Sequence, residues 1–313
     1  MSVIRTSSKK RDAYIVTGPT SGIGYQTALE LAASGTVILV GRNKQKLAAV
    51  QKTIEQRGQE AVSIVCDLSE PGSVKRAAQE IIALNLPIAG LLNNAGIMET
   101  QKKASQNSLG WDLTFATNYL GPFALTEVLA PHLLVGARVL FVTSAIEDSE
   151  RRPAKIVGMR GGRYLSVEAS VRGEWLPGGA SMPGVDAYAT SKQCVLAAAL
   201  ALARTTPHLR FNAVEPGITP ATSLGGPNLL LGLLFRYVIT FLPPFAQYRS
   251  TPERTAHVIS TTFTQRRDET GVYYDEKGRP MVGSKTALDR DFQERVIAQT
   301  RAFLATVPEL SAD

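Results

Sequence analysis

Residues 12–35 read DAYIVTGPTSGIGYQTALELAASG. A short apolar run, Ala13–Thr17, meets glycines at Gly18, Gly22 and Gly24. Ile23–Ala33 then places apolar residues at helical spacing and stops at Gly35. A strand, a glycine turn and a helix in that order let backbone approach a pyrophosphate. The helix start adds free N–H donors and a positive dipole end. Glycine also suits tight turns that hold no ligand, so the turn by itself decides little. Its spacing is TGxxxGxG rather than the commoner GxGxxG.

The rest of the chain keeps the same beat. Strands are expected at Thr36–Val40, Ala61–Cys66, Ile88–Leu92, Arg138–Thr143, Leu209–Val214 and Val272–Tyr274. Helices are expected at Asn43–Arg57, Pro71–Leu84, Leu109–Leu134 (kinked at Gly121-Pro122), Ala187–Arg204, Glu253–Thr264 and Lys285–Leu304. Alternating strands and helices force right-handed crossovers. The expectation is an α/β, doubly wound fold: one domain over residues 1–313, with a mainly parallel sheet of seven strands and helices on both faces. Two stretches break the beat. Ala145–Asp186 is rich in glycine and arginine, with six basic residues and one acid, Glu168, between Arg151 and Arg172. Residues 220–251 hold the apolar run LLLGLLFRYVITFLPPF. Loops this long are usually functional or disordered.

Bulk composition narrows the class. Hydrophobic residues make up 44% and charged residues 19% of 313, as in a soluble globular enzyme. The net charge of +7 fits a site for an anionic cofactor better than nucleic-acid binding, for which no motif is present. Cys66 and Cys194 have no CxxC spacing and read as reduced, buried thiols. His132, His208 and His257 have no ligand spacing, so no metal is expected. No signal peptide or clean membrane span is expected, which places the protein in the cytoplasm.

Three further motifs carry a resemblance: Asn93-Asn94-Ala95-Gly96 after the fourth strand, Ser144 after the fifth, and Tyr188-Ala-Thr-Ser-Lys192. With T17-G18-P19-T20-S21-G22-I23-G24 and Asn118, the chain resembles the short-chain dehydrogenase/reductase family from about Asp12 to Val272. The resemblance is closest to the retinol-dehydrogenase-like and ketoreductase-like branches. It implies a Rossmann-type fold and hydride transfer between a nicotinamide cofactor and a carbonyl or alcohol. Tyr188 and Lys192, one helical turn apart, share a face. A phenol normally ionises near about pH 10, and a neighbouring ammonium favours phenolate. YxxxK also occurs by chance on helix surfaces. By resemblance Tyr188 moves the proton, Lys192 assists it and binds the nicotinamide ribose, Ser144 polarises the carbonyl, and the Asn118 carboxamide helps hold a relay water.

The same resemblance assigns a cofactor-binding set. Gly18, Thr20, Ser21, Gly22, Ile23 and Gly24 form the phosphate turn, Asp67 and Leu68 the adenine side. Asn94, Ala95 and Gly96 lie under the ribose, and Pro216, Gly217 and Ile218 on the nicotinamide side. The family's usual threonine falls here at Ala221, with Thr219 and Thr222 as neighbours. After the second strand NAD enzymes usually place an acid for the ribose 2′-OH. This chain has Val40-Gly41-Arg42-Asn43, and an arginine fork suits a 2′-phosphate. NADP(H) is therefore expected. The 220–251 segment is expected either to pack as core or to cover a bulky apolar substrate, with membrane contact as a weaker variant. Pairing of copies through Leu109–Leu134 and Ala187–Arg204 is expected by resemblance, unless the Ala145–Asp186 insertion obstructs it. A catalytically silent dinucleotide sensor is the rival reading, which gives no reason for Asn118, Ser144, Tyr188 and Lys192 to occur together.

Overall fold

The computed structural model describes residues 11–99, 105–156, 158–178, 183–219, 243, 245–265, 268–308 and 310. Seven strands form one parallel sheet: β1 (Ala13–Thr17), β2 (Thr36–Gly41), β3 (Ala61–Val65), β4 (Ile88–Asn93), β5 (Leu133–Val142), β6 (Arg210–Val214) and β7 (Tyr273–Tyr274), in the spatial order β3-β2-β1-β4-β5-β6-β7. The inner strands are apolar along nearly their whole length because helices cover both faces. β1 and β4 lie side by side, and the chain winds outward from them in opposite directions.

On one face lie α1 (Gly22–Leu31) and α2 (Lys44–Glu55), which turn Ile23, Ala28, Leu31, Leu47 and Ile54 inward. Asn43 starts α2 by accepting from Lys46 N at 2.9 Å. The other face holds α3 (Pro71–Ala83), a composite helix, and, further along the chain, α8 (Pro183–Thr205). The composite helix is α4 (Leu113–Phe115), a π turn (Ala116–Leu120) and α5 (Gly121–Leu129). Between it and α8 lie the short helices α6 (Arg152–Ile156) and α7 (Val167–Val171). The chain ends with α9 (Pro252–Thr264), which lies against α1 on the first face, then α10 (Lys285–Leu288) and α11 (Arg290–Ala305).

Several boundaries differ from the sequence-based expectation. The helix expected over Leu109–Leu134 starts at Leu113, where Asp112 Oδ1 accepts from Phe115 N. It ends at Leu129 in a 3-10 turn containing Pro131, which cannot continue a helix. Leu133 and Leu134 therefore belong to β5, five residues earlier than expected for that strand. The helix expected over Lys285–Leu304 breaks at Asp289, whose carboxylate caps α11 by accepting from Phe292 N at 2.7 Å.

The insertion is folded onto the domain wherever it is described. Arg160 forms an ion pair with the buried Asp186, and Arg163 donates to the Leu176 carbonyl. Tyr164 Oη donates to Gln299 of α11 at 2.6 Å. Residues 220–242 and 244, which hold Ala221, Thr222 and nearly all of the apolar run, lie outside the described residues.

Close backbone packing makes one glycine a test of the fold. A Cβ on Gly121 would collide with the Leu68 carbonyl, which follows β3. Gly121→Ala is expected to lower unfolding stability by about 1–3 kcal/mol, the usual scale for overpacking. Urea titration checks it, and a midpoint equal to wild type would mean that α5 stands further from Leu68.

Candidate active site

A cleft of about 1130 Å³ opens at the carboxyl ends of the strands, where open α/β sheets bind ligands. Its floor begins at the glycine turn. Gly18 and Gly22 have φ of +67° and +55°, a region that side chains disfavour. A Cβ on Gly18 would stand 3.0 Å from the Ala95 Cα, and one on Gly24 would strike the Gly18 carbonyl. The turn and α1 therefore lie close against the Asn94-Ala95 segment. Ser21 precedes α1 without its side chain capping the helix, so the first N–H groups face the cleft uncapped by that residue. This shallow, backbone-lined cradle at a helix start is the shape a dinucleotide pyrophosphate needs.

Of the residues singled out in the sequence, Gly18, Thr20, Ser21, Gly22 and Ile23 line the cleft, as do Arg42 and Leu68. Asn94, Ala95, Gly96, Ser144, Tyr188, Lys192, Pro216, Gly217 and Ile218 line it too. Gly24, Asp67 and Asn118 do not. Gly24 packs beneath the turn. Asp67 Oδ1 accepts from Ser69 N and Ser69 Oγ, while Oδ2 stands 4.0 Å from Arg42. Thr219 lines the cleft and donates to the Pro216 and Gly217 carbonyls.

Tyr188 and Lys192 project from α8 toward the end of β5. The Tyr188 phenol lies beside the Ser144 side chain, which lowers its proton affinity. Lys192 Nζ donates to the Val142 carbonyl at 2.8 Å and lies 5.6 Å from the centre of the Tyr188 ring. Burial pushes the phenol up to about 12, with Ser144 pulling it down and Glu215 pushing it further up. Burial brings the Lys192 ammonium down to about 8. Desolvation sets the direction of the phenol's shift, and the group that opposes it is Ser144 rather than Lys192.

Asn118 sits in the π turn with its carboxamide largely committed. Oδ1 accepts from Ile97 N at 2.8 Å, and Nδ2 donates to the Ile97 carbonyl and Ser191 Oγ. One lone pair of Oδ1 is left for a water. Pro122, four residues on, has no N–H to offer the Asn118 carbonyl.

Residues 12–153 match the family model of the short chain dehydrogenases. A polyprenol dehydrogenase from Danio rerio is 28% identical over 93% of this chain and 86% of its own. Human polyprenol dehydrogenase is 29% identical over 65% of this chain. The solved landomycin C-6 ketoreductase LanV, with NADP and rabelomycin, superposes at a TM-score of 0.61 and 22% identity over 86% of this chain and 96% of its own. Over residues 12–153 the chain is thus similar to the short-chain dehydrogenase/reductase family. It spans 59% of the human relative's length, and 35% of an uncharacterized oxidoreductase from Schizosaccharomyces pombe that is 42% identical over 38% of this chain.

Sequence reading missed several groups at this cleft. Arg151, from the insertion, and Glu99 line it, and so does the buried Glu215. Glu215 directly precedes Pro216-Gly217, which was the available signal. Burial pushes its carboxyl up to about 7, with Arg151 pulling down, Glu276 pushing up and the Gly217 and Ala145 N–H groups pulling down. Glu147, also buried, is pushed up to about 7 although Ser284 donates to it from N and Oγ. Burial pushes Asp112 up to about 6. Among the described residues no group of three or more His, Cys, Asp or Glu could hold a metal ion.

These carboxyls make stability depend on pH. Each binds its proton more tightly in the folded chain than in the unfolded one, where 3.8 (Asp) and 4.5 (Glu) are ordinary. Their contribution is full below about pH 4 and is lost as pH rises through about 6–7, at about 1.4 kcal/mol per unit of displacement. Thermal melts are expected to give a higher Tm near about pH 5 than near about pH 8, with Glu147→Gln flattening part of the slope. A Tm that rises across this interval would contradict the assignment.

Proposed function

We propose that this chain is an NADP(H)-dependent carbonyl reductase or alcohol dehydrogenase acting on a bulky apolar substrate. The observation that carries the reading is the convergence of Ser144, Tyr188 and Lys192 at one end of a cleft whose other end is the glycine turn at the start of α1. NADP(H), when bound, supplies or accepts the hydride. Gly18, Thr20, Ser21, Gly22 and Ile23 hold its pyrophosphate, with Gly24 allowing the turn to pack. Arg42 grips the 2′-phosphate, Asp67 and Leu68 border the adenine, and Asn94, Ala95 and Gly96 underlie the ribose. Pro216, Gly217 and Ile218 bound the nicotinamide side, where Thr219 stands in for the threonine displaced at Ala221.

The Tyr188 phenol is protonated across the neutral range, so it is ready to give its proton to a developing alkoxide. Ser144 holds the carbonyl oxygen beside it. The Lys192 ammonium, fixed on Val142, stabilises negative charge on the phenol oxygen once the proton has left. Asn118 holds the Ile97 backbone and keeps one acceptor for a relay water.

Ile97, Met98, Leu113, Ile146, Met159 and Phe245 line the same cleft. This apolar wall favours a large hydrocarbon-like substrate, and the polyprenol dehydrogenase of Danio rerio, by its name, acts on one such class. Fold relatives were solved with NADP and with NADH, so the cofactor preference rests on Arg42 and the absent acid. The buried free cysteines Cys66 and Cys194 suit a reducing, cytoplasmic setting. Among the described residues no helix is long and apolar enough to cross a membrane.

Tyr188→Phe is expected to cut kcat by about a hundredfold to ten-thousandfold. NADPH affinity, followed by fluorescence, is expected to stay near wild type. Wild-type kcat in that variant, over a ketone series running from acetone-sized to polycyclic, would end the mechanism. In the native enzyme kcat/KM is expected to favour NADPH over NADH and to rise with ketone size.

Arg42→Ala is expected to weaken NADPH binding by about 1.5–3 kcal/mol, the scale of a charge-assisted contact, and to leave NADH binding unchanged. Paired titrations of the two cofactors check this. An equal loss for both would remove Arg42 from the 2′-phosphate.

A further inference from the structure

Resting on the oxidoreductase reading above, we infer that Glu147 is a positioning residue. It ties the turn that follows Ser144 to two segments lying against α8, and so holds the carbonyl-polarising hydroxyl level with Tyr188 and Lys192.

The hydrogen bonds that make this tie are direct. The pairing of β5 with β6 ends as Thr143 N donates to the Val214 carbonyl at 2.9 Å. The chain then makes a single 3-10 turn, Ala145–Glu147, in which Glu147 N donates to the Ser144 carbonyl at 3.2 Å. The Glu147 side chain is buried, and both its oxygens are taken by one residue. Oε1 accepts from Ser284 N at 2.8 Å, and Oε2 accepts from Ser284 Oγ. The Glu147 carbonyl accepts from Gly162 N at 2.9 Å. Ser284 is itself fixed, because its Oγ caps α10 by accepting from Ala287 N at 3.1 Å.

Both partners press on the helix that carries the phenol and the ammonium. A Cβ on Gly162 would strike the side chain of Gln193, the residue after Lys192. Beside it, Arg163 N donates at 2.8 Å to Thr190 Oγ1, which lies between Tyr188 and Lys192 in the chain. A Cβ on Gly283 would stand 2.5 Å from Leu196 Cδ2, one turn past Lys192. Glu147 therefore joins the Ser144 turn to α8 at two levels, through the insertion and through the start of α10. Lys192 Nζ holds β5 at the Val142 carbonyl, two residues before Ser144, and Glu147 holds the chain three residues after it.

The reach of the side chain, rather than its charge, makes the tie. A glutamine has the same reach and keeps one acceptor for Ser284 N. Its N–H group can donate to Ser284 Oγ, a hydroxyl that has two lone pairs and spends one on Ala287 N. An aspartate keeps the charge but is one methylene short, so holding Ser284 would draw the turn out of place.

The test uses the full chain with Glu147→Gln, Glu147→Asp and Ser284→Ala. kcat and KM are read with NADPH and a polycyclic ketone, and amide hydrogen exchange is read at Ser284 and Gly162 without cofactor. Both amides are expected to be protected in wild type. Glu147→Gln is expected to keep kcat within about threefold of wild type. Glu147→Asp is expected to lower kcat about tenfold and to lose protection at Ser284, with KM within about threefold, because the tie acts on the reacting geometry rather than on binding. Wild-type kcat in Glu147→Asp, or a Glu147→Gln slower than Glu147→Asp, would overturn the positioning role. A loss carried mainly by KM would overturn it too. If Glu147→Asp fails to fold, Ser284→Ala decides: a kcat about threefold lower with unchanged KM supports the tie, and wild-type kcat removes it. Absence of turnover in wild type would strike the oxidoreductase reading instead, and exchange at Ser284 would still decide whether Glu147 holds it.

Discussion

Thr17 and Asn94 tie the carboxyl ends of β1 and β4, and the cleft is registered against that tie. Thr17 Oγ1 donates to the Leu92 carbonyl and accepts from the N–H groups of Asn94 and Ala95. Asn94 Nδ2 donates back to the carbonyls of Thr17 and Gly18. The two residues are 77 positions apart in sequence, yet they close one network where the sheet changes its winding direction. Leaving a buried polar group of this kind unpaired costs about 1–3 kcal/mol, so the arrangement has few alternatives. The glycine turn and the Asn94–Gly96 segment inherit their positions from it.

The opposite end of the cleft is registered differently. α8 is buried along most of its length between the sheet and α11, which lets it carry Tyr188 and Lys192 into a dry site. Lys192 Nζ reaches the Val142 carbonyl, two residues before Ser144. Tyr188 lies beside Ser144 itself. Helix and strand thus meet through the same groups that form the proposed catalytic set. Burial keeps the phenol protonated and weakens the ammonium's hold on its proton. A proton donor beside a cation held near neutrality is the consequence of that shared desolvation.

Much of this was legible in the sequence because it depends on local order. Strand, glycine turn and helix follow one another within Asp12–Gly35, and YxxxK lies within one helical turn. The apolar runs of the inner strands are long enough to read without alternation. The illegible parts depend on distant partners or on single-residue geometry. The early start of β5 at Leu133 reflects Pro131 ending α5, in a stretch whose apolar residues also fit a helix. The break at Asp289 is a cap, visible only once Phe292 N is seen to donate to it. Glu215 and Arg151 enter the cleft through folding of the insertion and of β6, and no periodicity marks them. The 145–186 insertion looked irregular because its order comes from long-range bonds, Arg160 to Asp186 and Tyr164 to Gln299.

Those bonds bear on how copies of the chain can meet. The faces of the composite α4–α5 helix and of α8, through which the family resemblance pairs subunits, are covered here by α11. Tyr119 Oη and Thr300 Oγ1 stand 2.8 Å apart beneath it, Trp111 stacks near Phe303 at 5.1 Å, and Arg301 donates to Glu127 at 2.8 Å. α7, from the insertion, packs against the same helix. Loss of α11 from this face would uncover Tyr119, a fully buried aromatic side chain. Exposing a ring of that size costs several kcal/mol, at about 25 cal/mol per Å² of apolar surface, before any new interface repays it. The final helix therefore keeps α8 dry from behind, and with it the buried Tyr188 and Lys192.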